Sequence, residues 1–398
     1  MPQNTADTIG KSQEPSAKKH IALIANTGWN IVRYRGELMS ALIERGWKVS
    51  AIAAFSEEQA RQLRDIGAHP YPLHINAAGV NPFHDIAYFF RVLRILRRLQ
   101  PDLVHAFTMK PVIYGAWAAK LAGIQCVVAS ITGGGMLLRG GGKAWIGRIV
   151  WPMISAALSG RTQTIFQNPD DLALFVDQRA LRHSQATCIA SSGVNTAALK
   201  PDPHLAATER TCFLMASRML WSKGVGDFVA AARLVKRDFP EVSFVLYGGS
   251  REDYDSKNPD FIERAWLADL NREGIVTWRG RTDAGKVEAA MRSAAAVVLP
   301  SYYPEGVPRC LIEAASAGTP IITTDTPGCR DAVIDDVSGF LVPPKSPTQL
   351  AEAMATLLRD PTRIAAMGLK GRDIAVTTFD ARLIVDRTIS VYQPMLAY

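Results

Sequence analysis

Glu305 and Glu313, with seven residues between them, frame the stretch Glu305-Gly306-Val307-Pro308-Arg309-Cys310-Leu311-Ile312-Glu313. The run before it, Ala294 to Pro300, reads as a buried strand that stops at a proline. Glu305 then falls on the loop after a strand, and Glu313 falls in the helix that follows. Open α/β sheets hold their ligands there, outside the carboxyl ends of the strands. Backbone N–H groups opening such a helix bind phosphate or sugar oxygens, and the helix dipole favours negative charge beside them. The plainer reading is a solvated acidic pair flanking a helix, so the neighbouring segments decide between the two.

Those neighbours carry a resemblance. Arg218-Met219-Leu220-Trp221-Ser222-Lys223-Gly224, the E-x7-E segment and the Gly-containing helix start Thr324 to Asp331 together resemble the retaining glycosyltransferases of family 4. His105 to Gly115 and Ala118 to Gly123 are similar to the subgroup that acts on polyprenyl-diphosphate-linked sugars. The likeness runs over roughly residues 20–385. It implies an α/β fold of two Rossmann-like domains facing across a cleft, the arrangement called GT-B, with a last helix that returns to the N-terminal domain.

The chemistry follows from the leaving group. A nucleotide-sugar donor departs as a diphosphate, and fixed cations aimed at it stabilise the transition state more than the ground state. Arg218 offers a planar fork and Lys223 a point charge; two ordinary surface cations are the alternative. The resemblance gives Glu305 the donor sugar hydroxyls and Glu313 the ribose. Gly306 lets the backbone approach the sugar. Val307 and Arg309 supply N–H groups, whereas Pro308 has none. Gly280 and Arg281 stand where the family has its base-binding loop. In the first domain Gly28 could admit the diphosphate. His105 is a candidate catalytic contact near the reacting sugar or a structural histidine. Arg35 matches a recurring arginine of the subgroup or serves as an ion-pair partner. Lys110, Thr132 and Gly133 are acceptor-side candidates. After Gly133 the subgroup commonly has Leu and an aromatic; Gly134 and Met136 stand there instead, which bears on acceptor-sugar selectivity. Asn168, Asp170 and Asp171 either cap a helix or touch substrate.

Asp253-Tyr254-Asp255 is formally a D-x-D metal anchor, but it lies in a polar loop away from the other motifs. Metal-independent activity without a cofactor is therefore expected. The G-x-x-x-x-G-K-[ST] pattern fails around Gly140 to Ala144, and no G-x-G-x-x-G opens the first domain. The five cysteines show no ligand spacing and read as reduced thiols.

With 398 residues, 48% hydrophobic and 21% charged, the chain suits two or three globular domains. Residues 1–17 are polar, lack a signal-peptide core and read as a disordered tail. An N-terminal acceptor and membrane-facing domain is expected over 18–199, a donor domain over 205–379 and a returning helix over 380–398. Strands alternate with helical patterns throughout, as in parallel βαβ units; the first helix reads from about Arg35 to Arg45. Residues 1–200 hold 22 Lys and Arg against 12 Asp and Glu, so that half carries the whole positive surplus of a chain whose net charge is +8. No nucleic-acid-binding motif accompanies it, which leaves an anionic membrane or a diphosphate substrate. Phe83, Ile86, Phe90, Leu93 and Leu96 recur at helical spacing beside Arg91, Arg94, Arg97 and Arg98. They form either a membrane-facing stripe or an ordinary helix packed on its sheet. Trp145 to Leu158 is a second such stretch. No run reaches spanning length, so the expected place is cytoplasmic, peripheral on the inner membrane face.

The expected function is retaining transfer of a sugar, an N-acetylhexosamine, from a UDP-sugar to a polyprenyl-diphosphate-linked acceptor in bacterial surface-glycan assembly. Two competitors remain: a UDP-sugar 2-epimerase of the same architecture, and a membrane-associated scaffold without catalysis.

Overall fold

Among the described residues thirteen short runs become strands, the central ones continuous and apolar because each has a partner on both sides and is buried on both faces. The computed structural model describes residues 18–75, 82–133, 144–254 and 256–397. The tail 1–17, the glycine-rich positions 134–143, Asp255 and the side chains of Trp145 and Ile146 lie outside the described residues.

The first sheet contains β1 (His20–Thr27), β2 (Lys48–Ala54), β3 (His69–Pro72), β4 (Leu103–Phe107), β5 (Cys126–Ile131), β6 (Gln163–Phe166) and β7 (Ala186–Cys188). All are parallel, in the order β3-β2-β1-β4-β5-β6-β7. The second contains β8 (Cys212–Ala216), β9 (Ser243–Tyr247), β10 (Thr277–Trp278), β11 (Ala296–Leu299), β12 (Ile321–Thr324) and β13 (Gly339–Val342). These are also parallel, ordered β10-β9-β8-β11-β12-β13. The expected pair of Rossmann-like α/β domains is what the chain forms. Each strand order reverses once, between β1 and β4 and between β8 and β11. Those reversals open a crevice at the carboxyl edge of each sheet.

Helices cover both faces of each sheet, so Val297, Val298, Ile321 and Ile322 are wholly buried; each such side chain contributes about 1.5–3 kcal/mol. The first helix runs Gly28–Glu44, earlier than expected, because Thr27 caps it by accepting from Asn30 N at 3.2 Å. Its buried face is Ile31, Arg35, Leu38, Met39 and Leu42. The last helix, Ala381–Tyr392, buries Ile384, Val385, Ile389 and Tyr392 in the core of the first domain. The chain crosses between domains twice, and the two crossings are tied together. Val194 N donates to Phe379 O and Ala381 N donates to Val194 O, each at 2.9 Å.

Candidate active site

The β8/β11 reversal gathers the charged motif of the second domain. Arg218 follows β8 and is exposed. Lys223 ends a short turn of 3-10 helix, Trp221–Lys223, and Gly224 follows at φ +80°. Only glycine fits there, because a Cβ on Gly224 would lie 2.1 Å from the carbonyl oxygen of Pro300. That approach brings Lys223 Nζ onto Glu305 Oε2 as an ion pair. Ser301 Oγ donates to the other carboxylate oxygen, Oε1, at 2.9 Å. The Lys223 and Glu305 side chains are only 10% and 14% exposed. Burial raises the thiol of Cys310 strongly and that of Cys329 to about 11, so neither offers a thiolate at neutral pH.

The loop carrying Glu305 and Gly306 meets the first domain directly. Asn168 Nδ2 donates to Glu305 O at 3.0 Å. A Cβ on Gly306 would stand 2.0 Å from Gln167 Oε1 and 2.9 Å from Thr132 O. Thr132–Gly133, Gln167–Asn168 and Glu305–Gly306 therefore form one junction across the cleft. Asn168 also caps the Pro169–Asp177 helix, accepting from Asp171 N at 2.7 Å. Asp170 reaches Arg330 of the second domain at 3.3 Å.

Glu313 lies in the second turn of the Arg309–Ser316 helix and is 8% exposed. Its Oε1 accepts from Arg309 Nε and from Arg33 of the first domain, both at 2.8 Å. Arg309 also donates to Arg33 O at 2.9 Å, and Glu288 approaches Arg33 at 3.5 Å. Val307 buries its side chain in the core of the second domain. Gly280 and Arg281 follow β10, where Gly280 O accepts from Gly248 N at 2.9 Å and the Arg281 guanidinium lies 5.9 Å from the Tyr254 ring.

At the β1/β4 reversal of the first domain, Thr108 adopts φ 70°. Its hydroxyl and the side-chain oxygens of Asn26 and Asn30 are buried without hydrogen-bond partners among the described residues. A strained threonine and three unsatisfied oxygens at a crevice are the usual marks of a place a ligand completes. Sequence reading missed Arg33, Ser301, Gln167 and this trio. The Arg33-x-Arg35 pair was a signal, since only Arg35 shares the apolar stripe.

The other residues singled out in the sequence take the following places. His105 does not face the cleft. It is 1% exposed, with Nδ1 2.6 Å from the Tyr392 hydroxyl and Nε2 2.7 Å from Ser130 Oγ. Burial, reinforced by Arg35, holds its pKa well below the usual range, so it is neutral and structural. Gly28 serves packing: a Cβ there would meet Gln59, Phe55 and Ala54 O within 2.8 Å. Arg35 makes no ion pair among the described residues. Lys110 Nζ pairs with Asp85 at 2.7 Å, and the Tyr114 hydroxyl shares that carboxylate at 3.1 Å. Asp253 is engaged by Ser250 and Arg264. In the Pro82–Leu99 helix Leu93 and Leu96 are buried with Tyr88 and Val92. Phe83, Ile86 and Phe90 are more than half exposed, and Arg91, Arg94, Arg97 and Arg98 are exposed. The stripe thus divides into a packed face and an exposed apolar one. In the Ala144–Leu158 helix Ile149 and Arg148 are exposed while Ile154 is buried. Among the described residues no helix is long and apolar enough to cross a membrane.

Residues 198–373 match the family described as Glycosyl transferases group 1, and residues 31–191 match the Glycosyl transferase 4-like domain. The chain is 26% identical over 390 residues to the N,N'-diacetylbacillosaminyl-diphospho-undecaprenol alpha-1,3-N-acetylgalactosaminyltransferase of Campylobacter jejuni, covering 94% of this chain and 99% of that one. Among solved structures it is similar to sucrose-phosphate synthase of Thermosynechococcus elongatus, with a TM-score of 0.75 at 20% identity over 96% of this chain and 100% of that one. It is also similar to Anabaena HepE in complex with UDP, with a TM-score of 0.74 at 17% identity over 94% and 100%.

Proposed function

The chain belongs to the GT-B glycosyltransferases that join a 4-like domain to a group 1 domain, and on that premise we propose that it transfers an N-acetylhexosamine from a UDP-sugar to a polyprenyl-diphosphate-linked sugar, with retention of configuration. The observation that carries this reading is the nearly buried Lys223–Glu305 pair at the β8/β11 reversal, pressed against Thr132–Gly133 and Gln167–Asn168. Lys223 and exposed Arg218 receive the departing diphosphate, and their charge is worth most where water is excluded. Glu305, held by Lys223 and Ser301, accepts from the donor sugar hydroxyls. Glu313 accepts from the ribose, and Gly280–Arg281 flanks the base. With two cations in these positions the leaving group needs no metal ion. Same-face substitution, in which the leaving phosphate takes the acceptor proton, does not require Glu305 to form a covalent bond.

The acceptor enters from the first domain, toward Thr108, Thr132 and Gly133, where Asn26 and Asn30 offer unsatisfied oxygens. A lipid-diphosphate acceptor is supported by the name of the full-length Campylobacter relative, and a UDP donor by the ligand in HepE. The exposed Phe83, Ile86 and Phe90 beside four arginines suit reversible docking on an anionic membrane surface, in keeping with a peripheral enzyme of the cytoplasmic face.

The test is UDP release from a panel of UDP-sugars, with and without a polyprenyl-diphosphate-linked sugar. Release that depends on the acceptor is expected. Conversion of the nucleotide sugar without any acceptor identifies an epimerase, and no turnover under any combination identifies a scaffold; either outcome defeats the proposal.

A further inference from the structure

Arg35 presents a charge problem that the transfer reaction does not solve. It sits on the buried face of the first helix and is 7% exposed. Among the described residues no carboxylate pairs with it. Among those residues its Nε is buried without an acceptor, and the one side-chain hydrogen bond it makes, from Nη1 to Tyr34 O, is long at 3.5 Å. The guanidinium rests 4.0 Å from the centre of the Phe107 ring, which offsets part of the desolvation. Burial lowers its pKa only to about 10, so it stays charged at neutral pH. An unpaired buried charge costs several kcal/mol, and proteins ordinarily supply a counter-charge.

Arg35 lines a cavity of about 30 Å³ shared with Ser130, Ser191, Ser192 and Thr388. Since one water needs roughly 10–15 Å³ of such space, the cavity takes one or two waters or a single halide, and it is too small for a phosphate group. Four serine and threonine hydroxyls line it; Thr388 Oγ1 gives its proton to Ile384 O at 2.7 Å and Ser130 Oγ is held by His105 Nε2 at 2.7 Å, which leaves Ser191 and Ser192 to face the cavity. Ser191 Oγ already accepts from Gly193 N at 3.2 Å, which leaves its proton to donate. Glu37, the carboxylate among the lining residues, is exposed and accepts from Asn195 Nδ2 at 3.2 Å. His105 is neutral with both ring nitrogens engaged, so it adds no second cation.

We propose that this cavity is a binding site for a small monovalent inorganic anion, chloride in its chemistry, held by the Arg35 guanidinium and the hydroxyls of Ser191 and Ser192. A water there would satisfy hydrogen bonds but leave the charge uncompensated. The location gives the anion a consequence. The first helix supplies Arg35, β5 supplies Ser130, the interdomain crossing supplies Ser191 and Ser192, and the returning helix supplies Thr388. A bound halide therefore ties the crossing at Ser191 and Ser192 to the first helix.

The test compares wild type with Arg35→Met, which keeps the length of the side chain and removes its charge. Thermal unfolding is followed as sodium chloride replaces sodium gluconate at constant ionic strength. A saturating rise of roughly 2–4 °C is expected for wild type, reproduced by bromide and absent in Arg35→Met. Anomalous diffraction from wild-type crystals in bromide should show a peak within hydrogen-bonding distance of the Arg35 guanidinium. Equal halide responses in both proteins, no halide-specific response in wild type, or a cavity that holds only water in bromide each overturn the proposal. Should Arg35→Met fail to fold, the bromide diffraction experiment on wild type decides alone.

Discussion

Lys223→Ala separates structural from catalytic roles when it is paired with a second variant. Lys223 and Glu305 are 10% and 14% exposed, so truncating the lysine strands a nearly buried carboxylate with only Ser301 to satisfy it. Removing one member of a fully buried pair costs about 3–5 kcal/mol; the residual exposure here points to the lower end, about 3 kcal/mol. Loss of one stabiliser of the leaving group should also reduce turnover ~100-fold or more. The double variant Lys223→Met with Glu305→Gln has no stranded charge. It should regain most of the stability, as double replacement of buried pairs often does, and regain none of the turnover. Urea unfolding supplies the stabilities, and UDP release at saturating donor, normalised to folded protein, supplies the rates. If the double variant recovers turnover together with stability, or if Lys223→Ala keeps turnover within tenfold of wild type, Lys223 is a structural partner and the leaving-group assignment fails.

Three further outcomes are expected. Excess EDTA should leave turnover intact; activity that is lost and then restored by magnesium or manganese would contradict a metal-independent mechanism. Replacing Arg91, Arg94, Arg97 and Arg98 by Gln should leave the fold intact, because all four are exposed, while weakening pelleting with anionic liposomes by roughly 1 kcal/mol per charge engaged; undiminished pelleting moves the docking surface to the Ala144–Leu158 helix. Folding stability should fall as pH drops below about 6.5, because burial lowers the pKa values of His20 and His105 in the folded chain, so both bind protons more readily when unfolded. Their contribution is present above the unfolded pKa and is lost on acidification by up to about 1.4 kcal/mol per pH unit for each histidine; His105→Gln should flatten that slope and leave the pH profile of turnover unchanged.

What the sequence disclosed and what it hid divide along physical lines. Parallel strands buried on both faces are continuous apolar runs with punctuated ends, so β8, β9, β11 and β12 and the loops after them could be read directly. The places of Glu305 and Lys223 after β11 and β8 were legible because the loops that follow buried strands are written in polar residues and glycines. Partners across the cleft were not, since Arg33 meets Glu313 from 280 positions away and no local pattern records that distance. His105 misled for the same reason: a polar residue at a strand end suggests a site, but its partner Tyr392 is 287 positions further on. The apolar stripe of Pro82–Leu99 was visible, yet the periodicity alone could not say that Leu93 and Leu96 face the core while Phe83, Ile86 and Phe90 face out. Gly28 and Gly306 show one residue type serving two ends. The first admits the turn after β2, and the second admits Gln167 from the other domain.

The most direct measurement is mass spectrometry and NMR of the lipid recovered after incubation with UDP-N-acetylhexosamine and a synthetic polyprenyl-diphosphate-linked sugar. The account predicts a lipid heavier by one N-acetylhexosamine residue, joined through a new bond with the anomeric configuration of the donor. An unchanged lipid, or a product with inverted configuration, would contradict it.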